Sequence, residues 1–130
     1  MCARNVFEYA TIRVVPDIER GEFLLAGVLM LCRTQRFLDA HIALDIQRLR
    51  SLSASLDIAP IEQQLSYIPL VCRGGRAAGP IGELPLYERF RWLTAPRNTV
   101  IQPSPVRSGF CENPQQMLEH LMSRYMGYSS

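Results

Sequence analysis

The chain has 130 residues, 48% of them apolar, and a formal net charge of +2 at pH 7. This length fits one domain with its own core, and so small a charge argues against a nucleic-acid-binding protein that relies on overall positive charge. All 14 basic side chains are arginine, which excludes chemistry that requires lysine, such as a Walker-type phosphate loop or a Schiff base.

Three features of the sequence bear on cellular location and on metal or redox chemistry. The first residues contain no charged stretch followed by an apolar run, so we expect no signal peptide. The longest apolar run, residues 23–32, is too short to span a bilayer, and we expect a cytoplasmic protein that makes no contact with a membrane. No C-x-x-C pair exists, so we predict reduced thiols, no metal and no cofactor. The cysteines are Cys2, Cys32, Cys72 and Cys111.

The first third of the chain reads as three strands. Residues 6–15 alternate between apolar and polar side chains. Residues 22–33 show no clean alternation, which fits either a central strand covered on both faces or a buried helix. Gly27 and the tight flanking turns favour the strand, in which Gly27 would mark a bulge or a close backbone approach. Residues 36–43 alternate again and form a hairpin with the preceding strand. The inward face of the first strand would carry Ala10, Ile12 and Val14.

Helices and one edge strand follow. Asp45 and Asp57 each suit the N-cap of a helix. The second of these helices has an apolar stripe, and Pro69 should kink or end it. That stripe consists of Ile61, Leu65, Ile68 and Cys72. Residues 83–93 predict a third helix, and residues 99–106, which contain two prolines, predict an edge strand.

The last helix has the clearest boundaries. Asn113 is a good N-cap, Pro114 suits the first helical position, and Gly127 is well placed to end the helix. Together the elements predict a single α+β domain over residues 1–130. Its antiparallel sheet would have about four strands, with helices packed on it.

The segment 88–107 has the most unusual composition, with four arginines, three prolines and the only tryptophan. One hypothesis is a pocket for an anion, such as a nucleotide or a phosphopeptide. The alternative, which we favour, is that these arginines bind carboxylates of the chain itself and brace the edge strand. Trp92 could stack on a base or an arginine, or simply pack. The candidate residues are Arg89, Arg91, Trp92, Arg97, Gln102, Ser104 and Arg107.

Two further places extend this candidate surface. Arg73 and Arg76 lie in a glycine-rich stretch, residues 73–82, whose backbone N–H groups could favour an anion. Arg20 lies in a charged turn that reads as solvated. His41 and His120 read as isolated surface residues. We therefore predict no catalytic residue.

The sequence RFRWLTAPR at residues 89–97 and TVIQPSPV at residues 99–106 resemble motifs of an uncharacterised bacterial family, a domain of unknown function. Similar stretches occur at residues 7–10, 13–17, 19–23 and 78–82, so the resemblance covers almost the whole chain. The family has no established activity, so the resemblance implies no catalytic residues. The resemblance also implies that members can be encoded beside a kinase-fold protein similar to persister-type toxins, and hence a partner-binding role.

The first functional hypothesis is therefore a non-enzymatic accessory or partner-binding domain, with that kinase-fold protein as one candidate partner. The alternative is a small phosphate- or nucleotide-binding domain, or an enzyme, that uses the Arg-rich segment. A nucleic-acid-binding module ranks third and is not expected. Exposed strand edges would also allow a homodimer.

Overall fold

The computed structural model of the chain describes residues 4–127, which form one α+β domain. The predicted order of elements is confirmed, with one strand and one 3₁₀ helix added. The strands are β1 Asn5–Val14, β2 Leu24–Cys32, β3 Phe37–Ile42, β4 Ile101–Pro103 and β5 Arg107–Cys111. The helices are α1 Ile46–Leu52, α2 Ile58–Arg73, the 3₁₀ helix Arg76–Glu83, α3 Leu86–Thr94 and α4 Pro114–Met126.

The sheet is antiparallel throughout, and β1 lies at its centre with β2 on one side. On the other side β4 pairs with residues 12–14 of β1 and β5 pairs with residues 5–9. Ser104 joins these two short strands to β1, because its N–H donates to the carbonyl oxygen of Thr11 at 2.8 Å and its hydroxyl accepts from the N–H of Thr11 at 2.8 Å. The sheet edges are therefore β3 on one side and β4 with β5 on the other.

Each face of the sheet carries its own core. The predicted inward residues of β1 pack with α2, α3 and the 3₁₀ helix on one face. On the other face Phe7, Val28 and Met30 pack under α4. Because β2 is covered on both faces, 8 of its 9 residues are buried, and this explains why its sequence does not alternate.

Gly27 marks both a bulge and a close backbone approach, as the sequence indicated. Gly27 pairs with Ile12 and Leu25 pairs with Arg13, so Ala26 has no partner residue on β1. A Cβ atom added at Gly27 would lie 2.3 Å from the carbonyl oxygen of His41 on β3. The hairpin of β2 and β3 therefore needs glycine at this position.

The variant Gly27→Ala is expected to lower the free energy of unfolding by about 2 kcal/mol, because an overpacked interior must shift backbone to admit the methyl group. Chemical denaturation measures the effect. Gly21→Ala is the control: the same methyl group meets no atom within 4 Å there, at a φ of 72°, and should cost about 1 kcal/mol through backbone strain alone. A smaller loss for Gly27→Ala than for the control would contradict this account.

Local hydrogen bonds fix where the helices begin and end. The Asp45 carboxylate accepts from the N–H of Arg48 at 3.1 Å, and the Asn113 side chain accepts from the N–H of Gln116 at 3.1 Å. Gly127 adopts the left-handed conformation (φ 73°, ψ 17°) that ends α4. These predicted boundaries are confirmed. Asp57 occupies the N-cap position of α2 without a side-chain cap bond.

Three sequence predictions differ from the structure. Pro69 does not end α2, which continues to Arg73, because the burial of Val71 and Cys72 beyond the proline outweighs the lost hydrogen bond. The third helix begins at Leu86 rather than at residue 83, since residues 76–83 form the 3₁₀ helix and Pro85 takes the N-cap position. Of the predicted edge strand over residues 99–106, only Ile101–Pro103 form a strand, β4, and β5, which follows it at Arg107–Cys111, was not predicted.

Candidate functional site

The Arg-rich segment does not form one surface. It spans α3, the following loop, β4 and the start of β5, and its arginine side chains point to three different parts of the domain. Within residues 4–127 the only ion pair joins Arg20 to Glu22 in the exposed turn before β2. The hypothesis that the arginines of this segment bind the chain's own carboxylates is therefore wrong for the described residues.

Arg89 reaches from α3 to the C-terminal end of α2. Its Nη1 donates to the carbonyl oxygens of Val71 at 2.9 Å and Cys72 at 2.7 Å, and its Nε donates to that of Leu84 at 2.9 Å. The last carbonyl groups of a helix have no partner within the helix, and the helix dipole makes this end partially negative. Arg89 thus braces the fold by binding backbone carbonyls rather than carboxylates.

The glycine-rich loop folds against this arginine. A Cβ atom at Gly74 would lie 2.9 Å from Nη1 of Arg89, and the φ of Gly74 is 77°. The N–H of Gly74 donates to the carbonyl of Leu70 at 3.0 Å, and that of Gly75 donates to the carbonyl of Gly82 at 2.8 Å. Both N–H groups are therefore used within the protein and are not available to an anion. Arg73 and Arg76 at the ends of this loop are exposed.

The Cys72 thiol lies in the core beside Arg89, and burial raises its pKa from 9.0 to about 12, with a smaller contribution from Asp39. Below pH 9 the thiol is protonated in both the folded and the unfolded chain. Between pH 9 and about 12 it ionises only in the unfolded chain, so stability should fall as the pH rises through this window.

Denaturation of the wild type and of Cys72→Ala across this pH range tests the effect. The variant lacks the thiol, so the stability difference between the two proteins should move steadily in favour of Cys72→Ala as the pH rises above 9. Other groups that titrate in this range are common to both proteins and cancel. A difference that stays constant from pH 8 to pH 12 would contradict the assignment.

Trp92 and Arg97 form a place where the segment lines a groove with a charged side chain. The guanidinium of Arg97 stacks on the Trp92 ring, with Cζ 4.5 Å from the ring centroid. Its Nη2 donates to the carbonyl oxygen of Trp92 at 2.5 Å. Partial burial lowers the pKa of Arg97 but leaves it charged at neutral pH. No carboxylate of the described residues pairs with it.

This pair forms one wall of a groove of about 420 Å³, which we call the Trp92–Arg97 groove. The opposite wall belongs to α2, where Tyr67 meets the Trp92 ring edge-on at 6.1 Å between centroids. The Tyr67 hydroxyl donates to the carbonyl of Ala78 at 2.5 Å, which fixes the ring. From α2 the groove is lined by Gln63, Gln64, Tyr67 and Ile68. The other lining residues are Trp92, Leu93, Arg97, Thr99 and Ile101.

Gln102 and Ser104 hold β4 in position. The Gln102 side-chain amide donates to the carbonyl oxygen of Thr99 at 2.8 Å, and Ser104 makes the two bonds to Thr11 described above. Neither residue lines the Trp92–Arg97 groove. Arg91, on the exposed side of α3, lies 5.9 Å from the ring of Tyr87 and also points away from the groove.

Arg107 belongs to the opposite face of the sheet. It pairs with Tyr9 in the β1–β5 ladder, and the Tyr9 hydroxyl forms a 2.9 Å hydrogen bond with the hydroxyl of Tyr125 on α4. Burial and this hydrogen bond raise the pKa of Tyr9, and the charges of Arg107 and Arg124 oppose the rise. Arg97 and Arg107 therefore cannot hold the same small ligand.

Sequence reasoning missed the α2 wall of the groove. The groove residues Gln63, Gln64 and Tyr67 lie outside the apolar stripe of α2. Their helical positions therefore indicated only that they do not belong to the core. The contact of Tyr67 with Trp92, and the place of the two glutamines in the same groove, depend on tertiary packing that no local sequence pattern predicts. His41 is half-buried and His120 is exposed, and neither lines this groove.

Two features are absent from residues 4–127. No group of three His, Cys, Asp or Glu side chains is arranged to hold a metal ion, and no helix is long and apolar enough to cross a membrane. Cys32, Cys72 and Cys111 are buried free thiols, whereas Cys2 lies outside the described residues.

Comparison with known proteins concerns the chain as a whole and does not identify the groove. No curated protein and no solved structure gives a significant match. Residues 9–126 match the model of a family described as a protein of unknown function, DUF3037. The match covers most of the chain and confirms the resemblance seen in its motifs, so the chain belongs to the DUF3037 family.

Proposed function

We propose that this domain is a non-enzymatic binding module, and that its Trp92–Arg97 groove receives an acidic segment of a protein partner. The observation that carries the proposal is the guanidinium of Arg97. It is stacked on Trp92, partly buried, and without a carboxylate partner among the described residues. An arginine held by stacking is pre-organised to bind a carboxylate through its planar fork.

The types of residue in the groove support binding rather than catalysis. Its lining holds no His, Cys, Asp or Glu, so it has no side chain that suits a general base at neutral pH. The hydroxyls of Tyr67 and Thr99 both donate to backbone carbonyls, at 2.5 Å and 2.8 Å respectively. Arg97 is then the one charged group that a ligand would meet in the groove.

The residues that line the groove indicate what kind of partner segment would fit it. Trp92, Tyr67 and Ile68 offer apolar surface beside the charge, and aromatic and arginine side chains are the usual centres of protein interfaces. We therefore propose a partner segment with a Glu or Asp flanked by apolar residues. The kinase-fold protein implied by the family resemblance is a candidate if it presents such a segment, and the proposed place of this interaction is the cytoplasm.

A peptide-display selection tests the proposal without knowledge of the partner. Random peptides are selected in parallel on the wild type and on Arg97→Gln. We expect the wild type to enrich peptides that contain Asp or Glu next to apolar residues, and Arg97→Gln not to enrich them. Enrichment of the same acidic peptides on both proteins, or of no acidic peptides on the wild type, would contradict the proposal.

A small phosphorylated ligand is the second candidate, because about 420 Å³ lies within the usual range of small-molecule sites. A ligand at a hundredfold excess over its dissociation constant should stabilise the folded domain by about 2.7 kcal/mol. Thermal melting with nucleotides, phosphosugars and inorganic phosphate would then show a shift that Arg97→Ala abolishes. Nucleic acid fits less well, since Arg97 and Arg107 lie on opposite faces of the sheet and form no continuous basic surface.

A further inference from the structure

The two edges of the sheet differ in how they are protected. At the β3 edge the N–H of Ala40 donates to the side chain of Asp39 at 2.8 Å, so a side chain of the same strand occupies an outward donor. Natural proteins protect open edges in such ways, because unpaired strand backbone readily binds another strand. At β5 no such protection is present among the described residues.

The bonds of Thr11 show which backbone groups of β5 point outward. Thr11 directs its N–H and its carbonyl to Ser104, on the β4 and β5 side of β1. Backbone groups alternate sides along a strand, so Tyr9 and Phe7 direct theirs to Arg107 and Gly109 of β5. The N–H and carbonyl groups of Ser108 and Phe110 consequently point away from the sheet, and no described side chain binds them.

Apolar side chains accompany this unprotected edge. The Phe110 side chain is 64% exposed, and its partner across the β1–β5 ladder, Val6, is 54% exposed. Val106, just before β5, is 41% exposed. Paired residues of antiparallel strands project on the same face, so Val6 and Phe110 form one apolar patch beside the free backbone.

We propose that β5 pairs in the antiparallel direction with β5 of a second copy of this chain, about a two-fold axis at Gly109. Ser108 of one copy then lies opposite Phe110 of the other, and each pair exchanges two backbone hydrogen bonds. Arg107 lies opposite Cys111, so no like charges face each other. The edge is complementary to itself, as a two-fold interface requires, and it involves none of the groove residues.

Sedimentation and amide hydrogen exchange over a range of chain concentrations test the proposal. We expect a monomer–dimer equilibrium below about 1 mM. Exchange at the Ser108 and Phe110 amides should slow as dimer forms, while exchange at the Leu38 and Ile42 amides of the β3 edge should not change. A wild type that stays monomeric up to about 1 mM overturns the proposal. A dimer in which Ser108 and Phe110 exchange at the monomer rate also overturns it.

Two variants and a control sharpen the test. Ser108→Pro removes an outward N–H donor but no donor that bonds to β1, and Phe110→Ser removes the most exposed apolar side chain of the patch. Each should raise the dissociation constant at least about tenfold, a change of one decade in affinity. Phe23→Ser removes another exposed phenylalanine, 46% exposed and located just before β2 rather than on β5, and should leave the dimer unchanged. A control variant that weakens the dimer as much as the other two would contradict the assignment to β5.

Discussion

Arg89→Met is expected to lower the free energy of unfolding by about 3 kcal/mol, the largest stability effect that we expect from any arginine of the chain. Arg89 makes three hydrogen bonds, and two of them satisfy Val71 and Cys72 carbonyls at the end of α2. Removing the guanidinium leaves the Cys72 carbonyl without a donor, and an unsatisfied, partly buried acceptor costs more than the lost bond alone, whereas the Val71 carbonyl keeps the N–H of Gly74 at 3.1 Å. Chemical denaturation at neutral pH measures the loss.

Arg91→Met is the matched control, since Arg91 is two residues away on α3 and exposed. It should change the stability by less than about 0.5 kcal/mol. Arg89→Lys should fall between the two, because one ammonium cannot reproduce a fork that reaches both Leu84 and α2. Equal losses in Arg89→Met and Arg91→Met would show that Arg89 does not hold the helix end.

Arg97→Gln is expected to weaken the binding of an acidic peptide by about 30-fold, or about 2 kcal/mol, while the fold is kept. The substitution removes the one charge that lines the Trp92–Arg97 groove. The glutamine can still bond to the Trp92 carbonyl. The peptides enriched by the display selection serve as ligands, and calorimetry gives the dissociation constants.

Arg91→Gln controls for the loss of one positive charge near the site, since Arg91 lies outside the groove. It should change the affinity by less than about threefold, as expected for a screened surface charge. Arg97→Lys keeps the charge but loses the planar stack on Trp92, so its affinity should lie between those of the wild type and Arg97→Gln. An acidic peptide that binds Arg97→Gln and the wild type equally well would place its site elsewhere.

Much of the fold could be predicted because buried residues recur along the sequence with the period of a strand or of a helix. The alternation of β1 and the apolar stripe of α2 both correctly predict which residues lie in the core. The end of α4 was equally clear, since Asn113, Pro114 and Gly127 act through local backbone geometry. A missing alternation also carried information, because β2 is covered on both faces.

The failures have a common physical cause, which is that tertiary contacts overrule local preference. Pro69 lies inside a helix because the turns on either side of it are buried. β5 was missed because its residues, which include an exposed Phe110, carry no strand-like burial pattern. Pairing with β1 makes this segment a strand.

The candidate site shows the same limit more sharply. Arg89 and Arg97 stand in one short motif and have the same chemistry, yet one holds the end of α2 and the other faces a groove. The helical spacing of Arg89 and Arg91 correctly separates their directions. It could not show that Arg97 stacks on Trp92, or that α2 supplies the facing wall.

The most direct test uses the fact that Trp92 is the only tryptophan, so that its indole N–H gives a single NMR signal. The domain is titrated with the selected acidic peptides, with the same peptides carrying Glu→Gln changes, and with nucleoside monophosphates. We predict that only the acidic peptides move the Trp92 signal, and that in Arg97→Gln the same movement needs about 30-fold more peptide. A signal that moves equally with the Gln peptides, or only with the nucleotides, would contradict the proposal that the Trp92–Arg97 groove binds an acidic protein segment.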